Sequence, residues 1–212
     1  VHQGSTESRA EHHRYLALAL RETRPDRPSI ILTHGFSGAG KTTLSQPLVE
    51  SLGALRLRSD VERKRLHGLT ALDRTDAPIA SGLYSTEASR ATYDRLAALA
   101  VLVADAGYRV VVDATFLTRA DRDRFHQLAS ERRWPFAIID FVASESTLHQ
   151  RVLARASGGR DASDADLAVL AHQFRTAEPI ADDEQSALVT VDTELPAGTT
   201  MIDGLRKIPG FA

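Results

Sequence analysis

Short apolar runs alternate along the chain with longer segments in which apolar residues recur at helical spacing. The runs are bounded by turn-forming residues and have the length of buried strands. They predict strands at residues 29–34, 54–58, 108–114, 135–142 and 188–191. The centre of the third run, Tyr108–Ala114, is almost continuously apolar, which is typical of a strand that is covered on both faces.

The segments between these runs are predicted to be helices. They lie at about residues 11–22, 40–52, from 59, 86–106, 119–133, 144–156, from 163 and 200–207, with a loop at 69–85. Pro47 removes a backbone N–H inside the second helix and predicts a kink there. Ser163 and Asp166 have the spacing of a capping box, which predicts a helix that starts at Ser163. Tyr93 belongs to the apolar stripe of the long helix.

Strands and helices that alternate in this way predict an α/β fold. Parallel neighbours need crossover helices, and these helices cover both faces of the sheet. We therefore expect a three-layer α/β/α sandwich with a parallel sheet of about five strands over residues 28–212. A small helical lid is expected near 151–175, and a linker with a helix at 1–27. In such sheets ligands bind beyond the carboxyl ends of the strands.

Composition excludes several kinds of site. The chain has 212 residues, a formal net charge of −2 and no cysteine, so disulfides and thiol chemistry are excluded. A balanced charge provides no bulk attraction to nucleic acid or to a membrane. No apolar run approaches the ~20 residues of a membrane span, and no signal peptide is recognised. We expect a cytoplasmic protein, and the start at Val1 is expected of a processed product or a part of a longer chain.

The strongest local signal is a glycine loop that follows the first strand and precedes a helix. Its residues Gly35, Phe36, Ser37, Gly38, Ala39, Gly40, Lys41 and Thr42, followed by Thr43, match G-x-x-x-x-G-K-[ST] in full. Backbone N–H groups in such a loop point at phosphate oxygens, and the helix N-terminus adds positive charge. Lys41 is expected to reach the β- and γ-phosphates of ATP, and the Thr42 hydroxyl to bind Mg²⁺.

Two carboxylates follow predicted strands. Asp60 comes directly after the second strand, where it could take the proton of an acceptor hydroxyl. An equally weighted alternative is that Ser59 or Asp60 only caps the next helix. Asp113 ends the third strand, where it could hold Mg²⁺ or orient the acceptor, and a cap or a buried hydrogen-bonding role is the alternative. The apolar run before Asp113 favours function.

Several arginines are candidates for phosphate or acceptor contacts. Arg151 and Arg155 share one helix face ahead of a glycine-containing break at 157–161, so they could close over ATP as parts of a lid. A solvated, salt-bridged face is their alternative. Arg63 lies one turn after Asp60 and could bind the acceptor, and Arg122 is a weaker candidate for the same role. Arg58, Lys64 and Arg65 are expected to be solvated.

Four segments together resemble the predicted P-loop kinases of the zeta-toxin and polynucleotide-kinase-like group (AAA_33 type). They are the glycine loop, RLRSDVERKRLHG at 56–68, VVVDATFLTRADRDRF at 110–125, and the arginine helix with DASDAD at 161–166. The resemblance covers about residues 28–195. Within this group, the sequence is similar to the ATP-binding domain that is often fused behind an aminoglycoside-phosphotransferase-like domain. This similarity implies an upstream domain.

The resemblance also implies roles for single residues. Asp60 would be the general base, Arg63 would help to hold the acceptor, and Asp113 would help to order the site. Arg151 and Arg155 would contact the ATP phosphates. The acceptor stays open: a small molecule is favoured, a polynucleotide 5′-hydroxyl is the alternative, and an ATP-binding module that regulates a fused partner is the third hypothesis.

Overall fold

The computed structural model describes residues 28–71, 73, 85–158, 165–195 and 200–211. The predicted linker and helix at 1–27 lie outside the described residues. The same holds for most of the predicted loop at 69–85 and for residues 159–164, the centre of the predicted lid.

The described residues contain one parallel sheet. Its strands are β1 Ser29–His34, β2 Leu55–Arg58, β3 Arg109–Asp113, β4 Phe136–Val142 and β5 Leu188–Asp192. They lie in the order β2-β3-β1-β4-β5, and every neighbouring pair is parallel. The predicted sheet is therefore confirmed. All five carboxyl ends face the same edge, where the predicted site residues lie.

Helices connect the strands. They are α1 Lys41–Leu44, α2 Gln46–Leu52, α3 Ser59–Leu66, α4 Thr86–Asp105, α5 Arg119–Arg132, α6 Glu145–Gly158, α7 Leu167–Thr176 and α8 Thr200–Arg206, with a 3₁₀ helix at Asp182–Ala187. Within the described ranges, no helix combines the length and the apolar character needed to cross a membrane.

Apolar side chains on the two faces of the sheet form two core layers. One layer joins Ile31 and Ile139 to helices α2, α6, α7 and α8. The other joins Leu32 and Val112 to helices α4 and α5. Strand β1 is buried along its whole length, and β3 is buried after its first residue. The predicted three-layer α/β/α sandwich is confirmed by these two layers.

Two helix starts test the local predictions. The predicted single helix with a kink at Pro47 is corrected to two helices: Ser45 separates α1 from α2, and Pro47 lies in the first turn of α2, where a missing N–H costs little. The predicted start at Ser163 is wrong. Helix α7 begins after Asp166, whose side chain accepts a hydrogen bond from the backbone N–H of Val169 at 2.8 Å. Asp166 is therefore the N-cap itself.

Arg122 is a buried structural residue, which corrects its prediction as an acceptor-binding side chain. Its guanidinium donates to both carboxylate oxygens of Glu184 at 2.7 and 3.0 Å. It also donates to the carbonyl oxygens of Phe116 at 3.0 Å, Glu178 at 3.2 Å and Pro179 at 3.0 Å. The residue is only 1% exposed. These bonds tie helix α5 and the chain after β3 to the segment that leads into β5.

The buried ion pair between Arg122 and Glu184 predicts a large loss of stability for Arg122→Ala. The change removes the hydrogen-bonded charged partner of the Glu184 carboxylate, which is 9% exposed, and leaves it only the 3.6 Å ion pair with Arg119. Breaking a buried ion pair in this way costs about 3–5 kcal/mol of unfolding free energy, which urea unfolding would measure. Arg124→Ala on the same helix is the matched control. The Arg124–Asp94 pair is 40% and 52% exposed, so its loss should cost less than ~1 kcal/mol. Equal small losses would contradict the structural role of Arg122.

Candidate functional site

The glycine loop between β1 and α1 turns the chain tightly at the carboxyl edge of the sheet. Gly35 and Gly38 have φ angles of 127° and 85°, which L side chains rarely adopt. A Cβ on Gly35 would lie 2.5 Å from the carbonyl oxygen of Phe141, and one on Gly38 would lie 2.9 Å from that of Leu148. Both positions therefore need glycine, because the loop packs directly against β4 and α6.

The side chain of Lys41 lies along this loop. Its ammonium donates to the carbonyl oxygens of Gly35 at 2.8 Å and Phe36 at 2.7 Å. The pKa of Lys41 is lowered to about 8, mainly by burial and also by the positive charge of Arg155, while the charge of Asp113 acts in the opposite direction. Both acceptors of the lysine are neutral carbonyl oxygens, so an anion nearby would offer its ammonium stronger, charge-assisted hydrogen bonds.

Thr42 and Asp113 meet across the carboxyl edge of the sheet. The Thr42 hydroxyl donates to Oδ2 of Asp113 at 2.7 Å. Burial raises the pKa of the Asp113 carboxyl, and this hydrogen bond and the charge of Lys41 counteract the rise. Within the described ranges, no group of three or more His, Asp or Glu side chains could hold a metal ion. A hydroxyl and one carboxylate suit Mg²⁺ that shares its remaining ligands with phosphates and water.

Asp60 lies in the first turn of α3, directly after β2. Its Oδ2 is 2.7 Å from the guanidinium of Arg58, and its Oδ1 accepts a hydrogen bond from the backbone N–H of Val61 at 2.9 Å. The N-cap of this helix is Arg58, whose side chain makes no capping hydrogen bond, and Ser59 and Asp60 already lie within the helix. The alternative that Ser59 or Asp60 serves as the N-cap is therefore not supported.

The two arginines of α6 form hydrogen bonds with chain segments on the side of the glycine loop that lies away from Asp60. Arg151 donates to the hydroxyl of Thr193 at 2.8 Å and to its carbonyl oxygen at 2.9 Å. Arg155 donates to the carbonyl oxygen of Ala165 at 2.8 Å, just ahead of α7. Both arginines therefore connect helix α6 to neighbouring segments of the same site.

A cavity of about 830 Å³ joins most of the predicted residues. Its lining includes Ser37, Gly38, Gly40, Lys41, Thr42, Thr43, Asp60, Arg63, Asp113, Arg151 and Arg155. Gly35, Phe36, Ala39 and Arg122 do not line it. Gly35, Phe36 and Ala39 belong to the backbone turn of the glycine loop but do not face the cavity. Phe36 packs on Phe174 with ring centroids 4.7 Å apart.

Sequence reasoning missed several residues of this cavity. Arg58 was expected to be solvated but lines the cavity and pairs with Asp60. Lys64 was also expected to be solvated; it does not line the cavity, but it is only 2% exposed. Gln173 from α7 accepts a hydrogen bond from the backbone N–H of Ser37 at 2.9 Å and donates to its hydroxyl at 3.0 Å. Tyr93 also lines the cavity. The helical spacing of apolar residues predicted that Tyr93 lies on the long helix, but not that it lines the cavity. No feature of the sequence predicted that Gln173 contacts the glycine loop.

Comparison with curated proteins finds longer relatives. Uncharacterized proteins of Mycobacterium tuberculosis and Mycobacterium bovis are 29% identical to this chain over 188 residues. The aligned region covers 84% of this chain and 37% of each relative. The chain thus spans little more than a third of the length of the curated relatives that it matches.

Solved structures share the fold. A Chloroflexus aurantiacus protein considered to be a kinase is 26% identical with a TM-score of 0.60, covering 85% of this chain and 93% of that one. A Sinorhizobium meliloti gluconokinase is 23% identical with a TM-score of 0.54, covering 86% and 93%. The Mycobacterium tuberculosis APS kinase, solved with AMPPNP and APS, is 16% identical with a TM-score of 0.59, covering 86% and 98%.

A family model described as an AAA domain matches residues 30–180. This range holds strands β1 to β4, the glycine loop, both carboxylates beyond the strands and both arginines of α6. It amounts to well over half of the 212 residues, and the chain therefore belongs to the AAA_33 family.

Proposed function

We propose that the chain is an ATP-dependent kinase that transfers the γ-phosphoryl group of Mg·ATP to a hydroxyl of a small-molecule acceptor. One observation carries this proposal: Asp60, a carboxylate that is not the N-cap of its helix, shares a cavity with a complete phosphate-binding loop. ATP binding alone needs no such base. The kinase names of the solved structures with this fold support the same class of reaction.

The donor half of the site lies around the glycine loop. Backbone N–H groups of residues 38–42 would bind the β- and γ-phosphates. Lys41 would exchange its two carbonyl partners for phosphate oxygens, a stronger, charge-assisted contact. Thr42 and Asp113 would supply a hydroxyl and a carboxylate to Mg²⁺, which when bound neutralises charge on the phosphates.

The acceptor half contains the proposed base. Arg58 and the backbone N–H of Val61 orient the two oxygens of Asp60, and each oxygen keeps a lone pair for a further donor. Asp60 would accept the proton of the acceptor hydroxyl as the hydroxyl oxygen attacks the γ-phosphorus, the bond from that phosphorus to the β,γ-bridging oxygen breaks, and ADP leaves. Arg63, one turn later on the same helix, would hold the acceptor.

Arg151 and Arg155 would stabilise the negative charge of the transferred phosphoryl group. Both line the cavity, and Arg155 is close enough to Lys41 for its charge to lower the lysine pKa. The positive charges of Arg155 and Lys41 repel each other, and an anion placed between them would offset this repulsion. Residues 151–175 would therefore act as the lid over the donor.

A small molecule is favoured as acceptor because the net charge of −2 provides no bulk attraction to a polynucleotide. A 5′-hydroxyl polynucleotide kinase of the zeta-toxin and polynucleotide-kinase-like group is the alternative. An ATP-binding module of a larger protein is the third hypothesis. The alignment to 37% of longer relatives supports a longer chain, and an upstream phosphotransferase-like domain rests on the sequence resemblance alone.

One experiment separates these hypotheses. The protein is incubated with γ-labelled ATP and Mg²⁺, first alone and then with sugars, polyols, nucleosides and a 5′-hydroxyl oligonucleotide. Label on a small molecule supports the proposal, and label on the oligonucleotide supports the alternative. ATP binding with transfer to no acceptor and no hydrolysis supports the module. Lys41→Ala is the control that should abolish transfer while leaving thermal stability without ligand nearly unchanged.

We predict that Asp60→Asn separates ATP binding from phosphoryl transfer. Asparagine keeps the shape of aspartate but cannot take the acceptor proton, and general-base help is worth about 10²–10⁴ in rate. Turnover should fall at least about ten-fold, mostly in kcat, while the Kd for Mg·ATP changes little. Steady-state kinetics and calorimetric ATP titration measure the two quantities. Near-normal turnover would rule out Asp60 as the base and shift the role to Asp113.

We also predict that ATP binding takes up a proton above pH 8. The pKa of Lys41 is about 8 in the free site, and phosphates beside it would raise that pKa. At pH 9 the free lysine is mostly neutral and the bound lysine charged, so binding takes up nearly one proton and affinity falls as pH rises. Calorimetry in buffers of different ionisation enthalpy measures the uptake. Lys41→Arg, which stays charged, should show none. Absence of uptake in the unaltered protein would contradict a lysine–phosphate contact.

A further inference from the structure

The three residues that follow β3, Ala114 to Phe116, each form a backbone hydrogen bond with another part of the protein. Ala114 donates its N–H to the hydroxyl of Thr33 at 3.1 Å, and this hydroxyl donates to the Ala114 carbonyl at 2.8 Å. The Thr115 carbonyl oxygen accepts the N–H of Gly35 at 3.1 Å. The N–H of Phe116 donates to the phenol oxygen of Tyr93 at 3.2 Å. The segment is therefore fixed against β1, the glycine loop and helix α4.

Phe116 has an unusual backbone conformation in this segment. Its φ is 48°, in the left-handed region that bulky L residues rarely adopt. Its ring is fully buried and meets the rings of Tyr93 and Phe125 edge to face, with centroids 5.3 and 5.1 Å apart. Such a conformation costs about 1–3 kcal/mol and persists where surrounding contacts enforce it, often at functional sites.

The turn leaves two hydroxyl groups side by side in the cavity. The Tyr93 oxygen lies 3.5 Å from the Thr115 hydroxyl, and both residues line the cavity. The phenol oxygen accepts the N–H of Phe116, and either hydroxyl of the Tyr93–Thr115 pair can donate to the other, which leaves the proton of the second hydroxyl for a bound molecule. Burial raises the pKa of Tyr93, which keeps the phenol protonated near neutral pH.

The strand order assigns these hydroxyls to one half of the cavity. Strands β2 and β3 are neighbours, and Asp60 and Thr115 follow them. The glycine loop follows β1, and Arg151 follows β4 on the other side. Tyr93 on α4 is near enough to Arg63 and Asp121 for both charges to influence its pKa. The two hydroxyls therefore lie on the side of Asp60 and not on the side of the α6 arginines.

We propose that the hydroxyls of Thr115 and Tyr93 form a binding pair for the acceptor, and that the acceptor is an uncharged polyhydroxy molecule. This inference rests on the proposed kinase function. The turn at Phe116 presents Thr115 to the acceptor, and Tyr93 both holds the turn and donates its proton. The hydroxyl of Ser89 lines the same cavity, as do Ser85 and Thr118, which cap helices α4 and α5, and the oppositely charged Arg63 and Asp121. Many hydroxyls with balanced charge suit a molecule with many hydroxyls and no net charge.

The test uses matched variants of Thr115. Thr115→Val keeps the branched shape but loses the hydroxyl, and Thr115→Ser keeps the hydroxyl but loses the methyl group. The probes are glycerol, erythritol, ribose, glucose and myo-inositol, with gluconate and a 5′-hydroxyl oligonucleotide as charged comparisons. We expect the unaltered protein to phosphorylate at least one neutral probe. Thr115→Val should lower kcat/KM for that probe about ten-fold with the KM for ATP unchanged, and Thr115→Ser should stay within about three-fold.

Tyr93→Phe tests the second hydroxyl. It should also lower kcat/KM for the neutral probe, and it should lower thermal stability because the N–H of Phe116 loses its partner. Because both hydroxyls would bind one molecule, the double variant should lose less than the product of the two single losses. If the loss of kcat/KM in the double variant equals the product of the two single losses, the proposal that both hydroxyls bind the acceptor as a pair is overturned.

The remaining outcomes separate this inference from the proposed kinase function. If the unaltered protein binds and hydrolyses Mg·ATP but phosphorylates no neutral probe, or only a charged one, the acceptor class is overturned and the donor site stands. If Thr115→Val matches the unaltered protein, the role of Thr115 is overturned. If the unaltered protein does not bind Mg·ATP, the proposed function itself fails.

Discussion

The close packing of the glycine loop against β4 and α6 is the constraint on which the site depends. At Gly35 and Gly38, the neighbouring carbonyl oxygens leave no room for a Cβ. The loop can therefore follow only one path out of β1, and that path fixes where α1 begins. The start of α1 in turn places Lys41 over the loop and Thr42 against Asp113. A larger residue at either glycine would displace all of these groups together.

Several charged and polar groups of the site have hydrogen-bond partners within the protein. Lys41 donates to two carbonyl oxygens, Thr42 to Asp113, and Arg151 to Thr193. Most of these partners are neutral, so phosphate oxygens would replace them with stronger, charge-assisted hydrogen bonds. Asp60 differs because it forms an ion pair, and its partner Arg58 lies only two residues earlier in the chain. This difference suits a donor side that rearranges on binding and a base that stays oriented.

How much could be predicted from the sequence depended on how local each feature is. The glycine loop is contiguous, and the carboxylates could be located because parallel strands end at one edge. Arg122 was misassigned because its partners lie in residues 178–184, far along the chain. Tyr93 was assigned to a helix stripe because its contact with Phe116 depends on a left-handed turn that no sequence pattern indicates. The helix start after Asp166 shows that a capping pattern can be displaced by one turn.

The most direct test of the account is a crystal structure with Mg²⁺ and a non-hydrolysable ATP analogue. The account predicts that the β-phosphate lies against the backbone N–H groups of residues 38–42 and that Lys41 leaves the carbonyl oxygens of Gly35 and Phe36 for phosphate. It also predicts that Mg²⁺ lies between the Thr42 hydroxyl and the Asp113 carboxylate, whose oxygens are 2.7 Å apart in the structure described above. A nucleotide bound elsewhere, with the glycine loop empty and the Lys41 and Thr42 hydrogen bonds unchanged, would contradict the central claim.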